Sequence, residues 1–182
     1  MGKGGCLRNR HVDDRRKIMT TPALSIANEL GRLLTEKKLR LTTAESCTGG
    51  LIASALCASD DTPSFYGCGF ITYTDAAKIT VLGVKEETIS AHTAVSEQTV
   101  KEMVSGAIAH SGADVSLAVS GYAGPDGGED GTPAGTVWFA WQLPDNVIVA
   151  KVKHFEGDSE SVIKQAASYS LGTLIMLLAD DQ

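Results

Sequence analysis

The chain is expected to fold as a single-domain three-layer α/β/α sandwich with a mixed sheet. Segments of strand length, rich in β-branched and apolar residues, alternate along it with longer segments of helical periodicity. Val115 to Val119 is a nearly continuous apolar run, the pattern of a strand covered on both faces. Two strand-like segments follow each other around Pro144-Asp145-Asn146, which adds a hairpin and makes the sheet mixed.

The first helix is expected over residues 22–38, where Leu24, Ala27, Leu30 and Leu34 recur on one face and Pro22 suits the first turn. A strand through Leu41 ends at Ser46, and a short helix then runs to Ala58 before Asp60-Asp61-Thr62-Pro63 breaks it. Cys68 to Thr74 reads as the second strand, with Asp75 as N-cap of a helix carrying Lys78 that Gly83 ends. The clearest amphipathic helix starts near Ser96, places Val100, Met103, Val104, Ala107 and Ile108 on one face, and stops at Gly112. After the 115–119 strand comes a glycine-rich loop from Gly121 to Gly135. Strands at 137–143 and 147–155 follow, then a last helix at 159–178 with Val162, Ala166, Leu174 and Leu178 inward.

A length of 182 residues fits one domain with a sizeable core. Sixteen basic against 22 acidic residues give a net charge of −6, which argues against nucleic acid or an anionic membrane as the main partner. The apolar run near the C-terminus is interrupted and short, so no transmembrane span is expected. Cys6, Cys47, Cys57 and Cys68 lack metal-ligand spacing and read as reduced thiols of a cytoplasmic protein; no metal and no cofactor are implied. Residues 1–19 are basic and nearly without apolar side chains, the composition of a disordered arm, and the domain proper is placed at residues 20–182.

Within this frame the stretch Thr42-Thr43-Ala44-Glu45-Ser46-Cys47-Thr48-Gly49-Gly50-Leu51 stands out. It reads as a strand, a sharp turn and a helix start, which gathers hydroxyls and free N–H groups where the helix dipole favours negative charge. Ser46 sits where a nucleophile or an anion ligand would sit. Cys47 is its rival, since a helix N-terminus can lower a thiol's pKa. Two further segments, Phe70-Ile71-Thr72-Tyr73-Thr74-Asp75-Ala76-Ala77-Lys78 and Ser120-Gly121-Tyr122-Ala123-Gly124-Pro125-Asp126-Gly127-Gly128, join with Gly135-Thr136-Val137-Trp138-Phe139-Ala140 to complete a pattern. In this order, from about Leu24 to Leu178, the chain resembles the CinA C-terminal family, whose characterised members are nicotinamide mononucleotide deamidases.

The resemblance implies an amidohydrolase of pyridine nucleotide recycling, with a small-molecule nucleotide as substrate and a homo-oligomeric assembly. It also implies catalytic roles for Ser46, Tyr73 and Lys78. The chemistry is coherent with those residue types. Serine needs a neighbour that takes its proton, no histidine lies in the matched segments, and serine–lysine pairs perform this task. Lysine at its usual pKa of about 10.4 is protonated at neutral pH, so Lys78 needs a dry or cationic site. The phenol of Tyr73 is placed to relay the proton or to donate to the leaving amide. For the oxyanion, the economical donors are the N–H groups at Cys47, Thr48 and Gly49, with Gly50 allowing close approach and Thr48 adding a hydroxyl. The loop carrying Gly121, Gly124, Gly127 and Gly128 suits a phosphate or ribose, and it lacks the lysine of a P-loop. Glu45 is expected to orient the turn.

One departure bears on substrate. Family deamidases often carry Gly-Asp-Arg-x-x-Val-Arg at the start of the last helix, whereas Gly157-Asp158-Ser159-Glu160-Ser161-Val162-Ile163 has Ser159 and Ile163 in place of both arginines. Neither can clamp a phosphate, and Lys164 is one helical position away. Asp75-Ala76 likewise replaces the more usual Asn-Glu. Two other readings therefore stand beside the deamidase: a non-catalytic nucleotide-binding protein, and an amidase for another small amide.

Overall fold

A computed structural model describes residues 22–179. The expected basic arm at 1–19 lies outside the described residues. Eleven α and β elements follow in order: α1 (Pro22–Lys37), β1 (Leu41–Glu45), α2 (Leu51–Cys57), β2 (Tyr66–Ile71), α3 (Asp75–Leu82), α4 (Glu86–His92), α5 (Glu97–Ser111), β3 (Val115–Gly121), β4 (Thr136–Gln142), β5 (Ile148–His154) and α6 (Ser159–Ala179). The sheet order is β2-β1-β3-β4-β5; β2, β1 and β3 are parallel, and β4 and β5 add antiparallel strands. This is the mixed sheet of a three-layer sandwich.

The two faces of the sheet bury different helices. On one, Leu41, Leu117, Val119, Phe139 and Trp141 pack against α1, α2 and α6. On the other, Ala44, Ala118 and Ala140 present small side chains on which α5 lies through Val100, Met103, Val104 and Ala107. Helix α1 turns Ala23, Ala27, Leu30, Gly31 and Leu34 inward, so Leu24 is half-buried rather than central. Gly31 leaves room for Phe65: a Cβ there would lie 2.7 Å from the ring. Helix α6 has a mean hydropathy of 1.4 over 18 residues, enough by length and composition to cross a membrane, yet it buries Val162, Ala166, Leu171, Leu174 and Leu178 in this core.

The structure corrects the expected elements at three points. Strand β2 begins at Tyr66 and ends at Ile71 rather than running from Cys68 to Thr74, because its partner β1 ends at Glu45, level with Ile71. The N-cap of α3 is Thr74, whose hydroxyl accepts from the Ala77 N–H at 3.1 Å, and Asp75 is the first helical residue. Helix α4 was not expected, since its seven residues bury none of their side chains and so carry no apolar period.

Candidate active site

Strand register builds the site. Glu45 is level with Ile71 of β2 and with Val119 of β3, so the residues that follow, Ser46, Thr72-Tyr73 and Ser120-Gly121, emerge together at the carboxyl edge of the three parallel strands. The Ser46 N–H donates to Val119 O at 3.0 Å and the Thr72 N–H to Glu45 O at 2.8 Å, which pins the three exits together. Open α/β sheets bind ligands at this edge.

Glu45 then shapes the turn. Its buried carboxylate accepts from Thr48 Oγ1 at 2.6 Å, from the N–H groups of Gly50 and Ile52 at 3.1 Å, and from that of Ala53 at 2.7 Å. Four donors at the start of α2 thus converge on one anion where the helix dipole is positive. Gly49 and Gly50, at φ 56° and 99°, supply the left-handed bend that lets the chain double back onto the carboxylate.

Ser46 faces Lys78 across this turn. Lys78 comes from the first turn of α3 and is 1% exposed. Its Nζ lies 2.9 Å from Ser46 Oγ, 3.0 Å from Thr72 O and 3.2 Å from Tyr73 O. Burial holds the lysine below its ordinary pKa, opposed by the nearby charge of Asp75 and by Cys47. An uncharged amine has two hydrogens and one lone pair. As an ammonium Lys78 donates to Ser46 Oγ and to both carbonyls; once it is uncharged, the two carbonyls can take its hydrogens, which leaves the lone pair for the serine hydroxyl.

The cavity around this pair has a volume of about 260 Å³. Cys47, Tyr73, Asp75, Val95, Tyr122 and Asp126 are among its lining residues. Tyr73 places its backbone carbonyl on Lys78 and leaves its side chain 70% exposed at the cavity mouth. Burial pushes the Cys47 thiol up to about 12, which keeps it protonated beside Ser46. Of the expected oxyanion donors, the Gly49 N–H is taken by Ser46 O at 3.0 Å, the Gly50 N–H by Glu45 and the Thr48 hydroxyl by Glu45. The N–H groups of Cys47 and Thr48 donate to no backbone carbonyl among the described residues and lie toward the Cys47 sulfur.

In the glycine-rich loop, Gly121 and Gly124 line the cavity. Gly127 and Gly128 instead close the loop on itself: a Cβ on Gly127 would strike Thr132 O, and the Gly128 N–H donates to Thr132 O at 2.8 Å. Ser159 abuts this wall, since a Cβ on Gly124 would lie 3.3 Å from its Oγ. Ile163 is half-buried one turn further on, and Lys164 is paired with Glu160 on the exposed side of α6.

Sequence reasoning missed the wall formed by Ala94 and Val95 between α4 and α5. Thr93 enters it at φ 68° and ψ 169°, a region that costs a β-branched residue about 1–3 kcal/mol. Its carbonyl is held there by the hydroxyls of Ser96 and Thr99, at 3.0 and 2.8 Å. A Thr-Ala-Val-Ser string gives no signal of that backbone.

Fold and site together define an open α/β protein with a buried serine–lysine pair at the carboxyl edge of its parallel strands. The chain belongs to the CinA C-terminal domain family, whose model matches residues 23–178. It is 53% identical over 154 residues to Protein YdeJ of Escherichia coli K12, covering 85% of this chain and 89% of that one. To the nicotinamide-nucleotide amidohydrolase PncC of the same organism it is 40% identical over 151 residues, 83% of this chain and 92% of the other. The crystal structure of the competence damage-inducible protein A (ComA) of Klebsiella pneumoniae superposes with a TM-score of 0.86 at 52% identity, covering 88% of this chain and 99% of that one.

Proposed function

We propose that the chain is an amidohydrolase that converts nicotinamide mononucleotide and water to nicotinate mononucleotide and ammonia, through an acyl-enzyme on Ser46. The observation that carries this reading is the approach of Lys78 Nζ to Ser46 Oγ at 2.9 Å, with two carbonyls holding the remaining amine directions. Relatives named nicotinamide-nucleotide amidohydrolase, at 40% and 46% identity, support the substrate.

In this mechanism neutral Lys78 takes the Ser46 proton as Oγ attacks the carboxamide carbon. The oxyanion accepts from the Cys47 and Thr48 N–H groups. Collapse breaks the C–N bond, and the proton on Lys78 passes to the departing nitrogen, with the Tyr73 phenol at the cavity mouth assisting. Water then attacks the acyl-enzyme while Lys78 again serves as base, and Ser46 is restored. The cytoplasm and a homo-oligomer complete the proposal.

Ammonia release by the purified protein, with nicotinate mononucleotide identified as co-product, tests it. Hydrolysis at a rate abolished by Ser46→Ala is expected. Binding of the nucleotide without ammonia release would favour the non-catalytic binding protein.

A further inference from the structure

The charges around the cavity bear on which form of the substrate it takes. Among the described residues, Lys78 is the only basic side chain lining it, and that amine is buried against Ser46 and two carbonyls. Asp75 and Asp126 both line the same space, and Tyr73 and Tyr122 complete a wall that thus holds two acidic and two aromatic residues. The Tyr122 phenol is pushed up by burial and by the charge of Asp130, and less by Asp75 and Glu129, so the acidic field extends across that wall. Beyond Gly124, where the loop meets α6, the chain offers Ser159. The nearest lysine in sequence, Lys164, is tied to Glu160.

An N-ribosylated pyridinium carboxamide carries a positive ring beside the amide to be cleaved. Carboxylates and π-faces attract that ring. A phosphate ester on the same ribose brings about two negative charges into the same acidic field, where the described lining residues offer no cation besides the buried Lys78. We infer that this cavity selects the cationic pyridinium carboxamide and gives no preference to its 5′-phosphate, so that the nucleoside is hydrolysed at least as efficiently as the nucleotide. This rests on the amidohydrolase reading above and specifies its substrate class.

The test compares nicotinamide riboside with nicotinamide mononucleotide, by kcat/KM for ammonia release and, independently, by calorimetric binding to Ser46→Ala. The riboside is expected to equal or exceed the mononucleotide in both measurements. Asp75→Asn and Asp126→Asn should each shift the riboside-to-mononucleotide ratio toward the mononucleotide by severalfold, an effect that shrinks as salt rises. Glu36→Gln, exposed on α1 and away from the cavity, should leave the ratio unchanged. A mononucleotide preferred over the riboside in the unmodified protein would overturn the inference while leaving the amidohydrolase intact. If no ammonia is released from either compound, the catalytic reading fails, and the binding ratio on Ser46→Ala still decides selectivity.

Discussion

The proposed mechanism requires a neutral Lys78, and the surroundings of that amine act on the requirement in opposite directions. Burial lowers its pKa, while Asp75 raises it. The activity should therefore rise with pH through an apparent pKa below the ordinary lysine value of about 10.4, and Asp75→Asn should move that inflection further down. The same shift sets a sign for stability. Between the lowered folded value and the ordinary unfolded one, the unfolded chain binds more protons, so stability rises with pH across that window, and below it the burial penalty is present in full. Lys78→Arg should be as inactive as Lys78→Ala, because guanidinium cannot act as a base near neutrality; substantial turnover would reduce the residue to an electrostatic anchor. Tyr73→Phe keeps the carbonyl that orients Lys78 and removes only the phenol. A loss of about 10- to 100-fold in kcat is expected if the phenol assists the leaving group, and unchanged kcat would remove it from the mechanism.

At the level of the element, the strand–turn–helix around Ser46 is held by one carboxylate. Glu45→Ala leaves four donors at the start of α2 without their acceptor and should cost about 3 kcal/mol or more in urea unfolding, with activity falling as the turn relaxes. This part of the site was legible in the sequence, since apolar lead-in, small polar residues, paired glycines and helical run each have a local physical meaning. Which donors remain free was not legible. Glu45, expected to orient the turn, also consumes the Gly50 N–H and the Thr48 hydroxyl, and only the folded turn reveals that competition. Helix α6 offers a test at the same scale. Ser159 abuts Gly124 in the cavity wall, so Ser159→Arg, alone or with Ile163→Arg, should improve kcat/KM for the nucleotide relative to the nucleoside by about tenfold, as a charge-assisted phosphate contact is gained. No gain would mean that the phosphate lies elsewhere.

Across the whole molecule, the alternation of strands and helices made the sandwich legible, and the pairing of β4 with β5 bears out the expected hairpin. Strand order was not legible. Nothing local in Leu41 or Val115 says that β1 lies between β2 and β3, yet that order brings Ser46, Thr72-Tyr73 and Gly121 to one edge. The loop glycines show the same limit: Gly121 and Gly124 reach the cavity while Gly127 and Gly128 serve the loop, a division set by long-range packing. What the fold delivers is a protonated thiol and a serine hydroxyl side by side, with the lysine nitrogen on the serine. Matched turnover of Ser46→Ala and Cys47→Ala with a nicotinamide nucleotide or nucleoside is therefore the most direct measurement. Loss of at least about a thousandfold in kcat for Ser46→Ala, with Cys47→Ala within severalfold of the unmodified protein, is the predicted result. An active Ser46→Ala beside an inactive Cys47→Ala would contradict it and make this a thiol enzyme.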